Sequence, residues 1–271
     1  MTDVELREND FQESGRQQPN RRNTLLMGLA VCVSWFVLAI VSSMPSFYIA
    51  ASNKDFVVGG VEYQTLDHSL RLVGGLLLVF ALWPVLLRKY YASSRDYLQG
   101  SGVLMPRERQ AQIALLVFGV VLAGLLVCDL ASGTEGIVEF HKGLPLWYII
   151  FTGFQAGIIE ELLFRGVAFG VLRKRFPTWV AILLPAVFFG LAHSYWGIGR
   201  IFETMFIGAL FALLRWRTDN IWGPVVMHGL LNVGFPVPIW VGWLAAMLIT
   251  LALPAIKRFS KRAVGGLRTK T

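Results

Sequence analysis

Apolar residues in this chain come in long runs, not in the alternation of half-buried strands. A helix needs roughly 20 mostly apolar residues to cross a bilayer core. The runs predict helices near 24–46, 69–87, 111–130, 145–172, 178–196, 201–215, 220–235 and 238–256. The sixth and seventh are short, but joining them would leave Arg215, Arg217 and Asp219 in hydrocarbon, so they are kept apart. The pattern is that of an all-α membrane protein, a polytopic bundle of about eight transmembrane helices. Residues 1–23 are polar and of mixed charge, and are expected to form a disordered tail. The integral-membrane helical domain then covers 24–256, followed by a basic tail over 257–271. The first apolar run starts too far from Met1, and is too long, for a cleavable signal sequence.

Charge orients the bundle. Cations gather before the first run (Arg21, Arg22), after the second (Arg88, Lys89, Arg95, Arg107, Arg109), after the fourth (Arg173, Lys174, Arg175), after the sixth (Arg215, Arg217) and after the eighth (Lys257 to Lys270). The alternate loops hold only Lys54, Lys142 and Arg200, with Arg71 at a helix edge. The positive-inside rule then places both termini in the cytoplasm, in a multi-pass protein of a bacterial-type inner membrane. Composition agrees: 55% of the 271 residues are hydrophobic and 15% charged, and the mean hydropathy is +0.57. The net charge of +8 is explained by these loops, and nucleic acid is excluded as a partner; the lipid bilayer is the expected surrounding. Cys32 and Cys128 lie within separate spans and imply neither a disulfide framework nor a metal motif.

Against this background the polar residues inside apolar runs stand out. Glu160, Glu161 and Arg165 lie in the fourth, His193 in the fifth, and His228 with Asn232 in the seventh. A central Arg, Lys or Asp costs about 2.5–3.5 kcal/mol even on the gentlest insertion scale. At ~1.5 Å rise per residue, Glu160 lies roughly 20 Å from the Arg173 end of its helix, His193 about 22 Å into its own, and His228 about 13 Å into its own. Glu161 and Arg165 are i,i+4 and expected to pair; Glu160 points about 100° away and is free for another role. His228 and Asn232 share a face, as do Phe189 and His193, with Phe189 placed to wall a pocket. Gly153/Gly157 and Gly166/Gly170 are small-xxx-small pairs suited to close helix packing. Gln155 reads as interhelical glue and Glu203 as an outer-end residue, while His68 and His141 fall in predicted loops as solvated bystanders.

Taken in order, Glu-Glu-x-x-x-Arg (160–165), Phe-x-x-x-His (189–193) and His-x-x-x-Asn (228–232) resemble the three signatures of the CPBP family. This is the CAAX prenyl protease and bacteriocin-processing family, also called Abi, which includes the type II CAAX prenyl endopeptidases. The likeness covers about residues 145–235. It implies an eight-helix endopeptidase with a cavity open toward the cytoplasm. It carries a base role onto Glu160 with His193 assisting, oxyanion stabilisation onto His228 and Asn232, and support onto Glu161 and Arg165.

Peptide hydrolysis needs an activated water and donors for the tetrahedral oxyanion, and these residue types can supply both. In a zinc-dependent version the same groups, His193, His228 and Glu160, would be the ligands. The sequence holds no HExxH to support it, so metal-independent chemistry is favoured. The expected partner is a protein or peptide substrate, prenylated or not. Two other classes fit a buried acid and imidazoles: a proton- or cation-coupled transporter, which should show matched halves that are not seen, and a noncatalytic membrane immunity or scaffold protein.

Overall fold

The computed structural model describes residues 19–53, 57–58, 60–132 and 144–234. Among them every regular element is helical. The helices are α1 (Arg21–Ser52), α2 (Val61–Leu86), α3 (Ser94–Gly100), α4 (Arg109–Ser132), α5 (Leu146–Leu172), α6 (Thr178–Ala192), α7 (Ile198–Thr218) and α8 (Trp222–Val233). Three of these, α1, α2 and α5, are long and apolar enough to cross a membrane. Seven of the eight predicted runs correspond to α1, α2, α4, α5, α6, α7 and α8, while the run 238–256 and the 257–271 tail lie outside the described residues.

The boundaries differ from the hydropathy pattern where polar groups are satisfied inside the bundle. Helix α1 starts at Arg21, capped by the Asn20 side chain, which accepts from the Arg22 N–H at 2.9 Å. Helix α2 starts at Val61, eight residues before its apolar run, because Asp67 and Arg71 neutralise each other at 2.8 Å and Ser43 of α1 donates to Asp67 at 2.6 Å. Helix α7 runs on to Thr218, carrying Arg215 and Arg217 within it. Asp219 then ends it in the left-handed region, φ 47°, a conformation that Asp tolerates better than most residues.

Two π-turns interrupt the long helices, at Leu78–Leu82 in α2 and Leu162–Ala168 in α5. The first has a local reason: Tyr97 of α3 donates its hydroxyl to Val79 O at 2.6 Å, satisfying a carbonyl at the turn. Burial pushes the Tyr91 and Tyr97 phenols well above their usual range, so both stay neutral. Helix α3 itself is too short and polar to register in the apolar pattern.

The core pairs are α5 with α8, α6 with α7, and α1 with α2. Helices α5 and α8 meet through glycine: a Cβ on Gly157 would lie 2.9 Å from Gly229 N and 3.1 Å from Val225 O. Backbone cannot yield to it, so the two helices would have to part. Gly157→Val is therefore expected to cost about 1–3 kcal/mol, read as a lowered unfolding temperature in detergent; an unchanged one would show that this approach is not needed. Gly166 and Gly170, the second small-residue pair, face not a spanning helix but the carbonyls of Ser101 and Gly100.

Candidate active site

Helix α5 brings Glu160 and Glu161 to the last turn before its π-turn, and Arg165 sits inside that turn. Arg165 Nη1 donates to Glu161 Oε1 at 3.0 Å, with both side chains fully buried. The guanidinium is fixed on three further sides. Its Nε donates to Gly208 O of α7 at 3.3 Å. Its Cζ lies 4.2 Å from the Phe189 ring centre and 5.8 Å from each of those of Phe164 and Phe211, a cage in which desolvated cation–π attraction is strongest. Glycine at 208 is what admits it, since any Cβ there would collide with Arg165 Nη2.

His228 of α8 joins this pair. Its Nδ1 lies 2.9 Å from Glu161 Oε1, and its Nε2 lies 3.7 Å from Glu160 Oε2. A carboxylate oxygen can only accept, so Nδ1 carries the hydrogen and donates it. The neighbouring carboxylates diverge along the helix, as the spacing requires, yet both reach one imidazole because its two nitrogens face different ways. This shared contact is tertiary, and the i,i+4 spacing of His228 and Asn232 carries no signal for it.

His193 is placed differently from its expectation. Helix α6 stops at Ala192, not at 196, and His193 is its half-buried C-cap, followed by a turn of 3₁₀ helix over Ser194–Trp196. Its Nδ1 is 2.8 Å from Phe189 O; a carbonyl accepts, so the hydrogen is on Nδ1 and Nε2 presents its lone pair. Phe189 stands between the imidazoles, its ring centre 4.7 Å from that of His193 and 5.6 Å from that of His228. Asn232 lies one turn beyond His228 on α8, exposed, and its Nδ2 donates to Gly153 O of α5 at 3.3 Å. One amide hydrogen is used there and the second is left to donate elsewhere.

Of the residues read as bystanders, His68 needs correction. It is on α2, not in a loop, and its Nδ1 is 3.0 Å from Gln155 Oε1, so Gln155 does bridge helices. The i,i+4 spacing of Asp67 and Arg71 was the signal that α2 extends this far. Glu203 pairs at 2.9 Å with exposed Arg200. Tyr148 is buried and bonds to Gln64, whereas Trp147, Trp179 and Trp196 are exposed. His141 lies outside the described residues.

Among the described residues no three His, Cys, Asp or Glu side chains come together as a metal-binding set; of the three groups named for zinc, His228 Nε2 and Glu160 Oε2 stand 3.7 Å apart, and His193 and His228 each engage a protein oxygen through Nδ1.

Comparison with known proteins falls on the same stretch. The model of the family described as type II CAAX prenyl endopeptidase Rce1-like matches residues 142–234, which contain all seven motif residues. That segment is similar to the Rce1-like family. The match bears out the CPBP resemblance read from the motifs, and supports a CAAX-type membrane peptidase in general. The Bacillus subtilis (strain 168) protein named "Putative membrane peptidase YdiL" is 30% identical over 102 residues, 38% of this chain and 41% of that protein. The "Uncharacterized 24.3 kDa protein" of Escherichia coli is 26% identical over 121 residues, 43% of this chain and 56% of that protein. The chain thus spans about half the length of the curated relatives it matches. No solved structure matches it.

Proposed function

We propose that the protein is a multi-pass intramembrane endopeptidase that hydrolyses a peptide bond with water, using Glu160 as the base. The observation that carries this reading is the buried chain Arg165–Glu161–His228–Glu160, closed by contacts of 3.0, 2.9 and 3.7 Å. Nothing in structural packing calls for a second carboxylate against an imidazole already held by the first. The Rce1-like match and the peptidase name of the Bacillus relative point the same way.

In the reaction, Glu160 takes a proton from water as its oxygen attacks the carbonyl carbon. His193 Nε2, with its lone pair available, orients the same water. The carbonyl oxygen gains the negative charge and is met by the second Asn232 amide hydrogen and by His228 Nε2–H. With Nδ1–H already given to Glu161, Nε2 donates only when the ring is an imidazolium. Arg165⁺, Glu161⁻, His228⁺ and Glu160⁻ then sum to zero, the arrangement a desolvated interior favours for paired charge. As the tetrahedral carbon collapses, the C–N bond breaks, and the proton held by Glu160 passes to the leaving amine. The products are a carboxylic acid and an amine, which together carry the two hydrogens of the water.

Removing one oxyanion donor typically costs about 10²–10³ in rate. Asn232→Ala is thus expected to lower kcat by that factor in a cleavage assay with purified protein, and an unchanged kcat removes Asn232 from the chemistry. Because the mechanism uses no metal, dialysis against a chelator should leave the rate unchanged; loss of activity restored by zinc would replace Glu160 as base with a metal-bound water. The substrate is a peptide held at the bilayer. A prenylated Cys-aliphatic-aliphatic-X peptide and its unprenylated twin, assayed side by side, tell whether the lipid is read. By the positive-inside rule the cation-rich ends of α2, α5 and α7 face the cytoplasm.

A further inference from the structure

The three motifs lie on α5, α6 and α8. Helix α7 carries none of them, yet it meets the buried relay at two points. Gly208 and Phe211 are i,i+3 and share a face. That face is the buried stripe of α7, which also holds Thr204, Ala212 and Arg215. Gly208 offers its carbonyl to Arg165 Nε at 3.3 Å and, lacking a Cβ, leaves room for the guanidinium. Phe211, 2% exposed, sets its ring centre 5.8 Å from Arg165 Cζ and 5.7 Å from the His228 ring centre. One phenyl ring thus stands within about 6 Å, the reach of cation–π attraction, of the guanidinium and of the imidazole that carries charge in the proposed reaction.

His228 needs such a neighbour for a geometric reason. Its backbone is fixed by the close approach of α8 to α5 at Gly157 and Gly229. Its Nδ1 is fixed on Glu161 at 2.9 Å. Neither sets the plane of the ring, because the last torsion of a histidine is broad. The imidazole can swing about its Nδ1 anchor, and Nε2 would swing with it. Two phenyl rings oppose this from different sides. Phe189 stands nearly perpendicular to the imidazole, at 87°. Phe211 lies flatter against it, at 33°, so rotation of the imidazole drives its edge into the face of Phe211. With the plane held, Nε2 stays 3.7 Å from Glu160 Oε2. Phe189 belongs to the second motif; Phe211 belongs to none.

We propose that Phe211 is a positioning residue for His228, which makes α7 the fourth helix of the active site. Phe211 touches no reacting atom. It holds the imidazole in the plane from which Nε2–H meets the developing oxyanion, and its face favours the charged ring. This deepens the peptidase reading and rests on it for the reaction, but not for the contact. The rival account makes Phe211 core filling alone, since it shares an apolar cluster with Phe118, Leu214, Met227 and Leu230. Phe118 of α4 separates the two accounts. It is 3% exposed and fills the same cluster from the side of Leu214 and Gly223.

Phe211→Leu and Phe118→Leu, compared in purified full-length protein, test it. Each exchanges a buried phenyl for a branched alkyl group, so both should lower the unfolding temperature. Only Phe211→Leu is expected to lower kcat, by about 10–100-fold with KM within about twofold, since a misplacement near 1 Å can cost about 10²-fold. Phe211→Met fills the space with another ringless side chain and should repeat the loss; it takes the place of Phe211→Leu if that variant does not fold. Equal losses of kcat in Phe211→Leu and Phe118→Leu, or an unchanged kcat in Phe211→Leu, overturn the proposal. A spectroscopic readout stands apart from activity. The chain has four histidines, so protein labelled with carbon-13 at histidine Cε1 gives a signal for each, and the one lost in His228→Gln belongs to His228. A phenyl face shifts the resonance of a proton beside it. The His228 signal is therefore expected to move in Phe211→Leu and to stay in Phe118→Leu; a signal that stays in both, or moves equally in both, overturns the proposal. If the wild type cleaves no peptide, the peptidase reading falls while this spectrum still decides whether Phe211 holds the ring.

Discussion

Glu160→Gln is expected to lower peptide cleavage by about 10²–10⁴-fold, the usual contribution of a positioned general base, without lowering the unfolding temperature. The substitution keeps the size of the side chain. Glu160 Oε2 has no hydrogen bond among the described residues and stands 3.7 Å from His228 Nε2, so an amide there breaks little that holds the fold. Glu161→Gln makes the contrast. Its carboxylate takes Arg165 at 3.0 Å and His228 at 2.9 Å, so neutralising it strips the counter-charge from the buried guanidinium and weakens the acceptor of His228, and should lower stability as well as rate. Two adjacent glutamates thus separate into a chemical and a structural role by one pair of measurements, kcat and thermal unfolding. Glu160→Gln with near-normal turnover would remove Glu160 as the base, whereas a wild type that cleaves no peptide would return the protein to the noncatalytic scaffold or transporter classes, whatever the family match.

The local half of this site was legible in the chain because helical spacing is a local rule. Glu161 and Arg165 four apart predicted the ion pair, and His228 and Asn232 four apart predicted a shared face. The glycine pair at 153 and 157 predicted close approach, and it is Gly229 of α8 that approaches. What escaped was set by partners far away in sequence. Helix α3 has no apolar period and is held by Tyr97 on Val79 O and by Arg215 on Gly100 O at its C-terminal end. Arg215 looked like a loop residue, yet it is buried, because Asp219 at 2.7 Å and Gly100 O at 2.9 Å satisfy it. His68 was read as solvated for the same reason: hydropathy counts a polar residue as outside unless its partner, here Gln155, is known. The π-turn that carries Arg165 leaves no mark in residue type, since Leu162–Ala168 reads as ordinary apolar helix.

Arg165→Leu should be the most destabilising single change in the described bundle. Removing one partner of a buried ion pair costs about 3–5 kcal/mol, mostly because the other charge is left bare. Glu161 is 0% exposed and would then face His228 alone, with no water to screen it. Arg165→Lys should recover only part of the loss, since an ammonium cannot serve Glu161 and Gly208 O from a fixed fork as Nη1 and Nε do at 3.0 and 3.3 Å. The decisive comparison is Arg165→Leu combined with Glu161→Gln. If the pair matters as a pair, the double variant is more stable than the sum of the single losses predicts, by a coupling of about 0.5–3 kcal/mol. Thermal unfolding in detergent, followed by tryptophan fluorescence, reads all four proteins. Additive losses would mean that Arg165 holds the bundle through its aromatic cage and Gly208 rather than through Glu161, and the charge-balanced relay to His228 would lose its anchor.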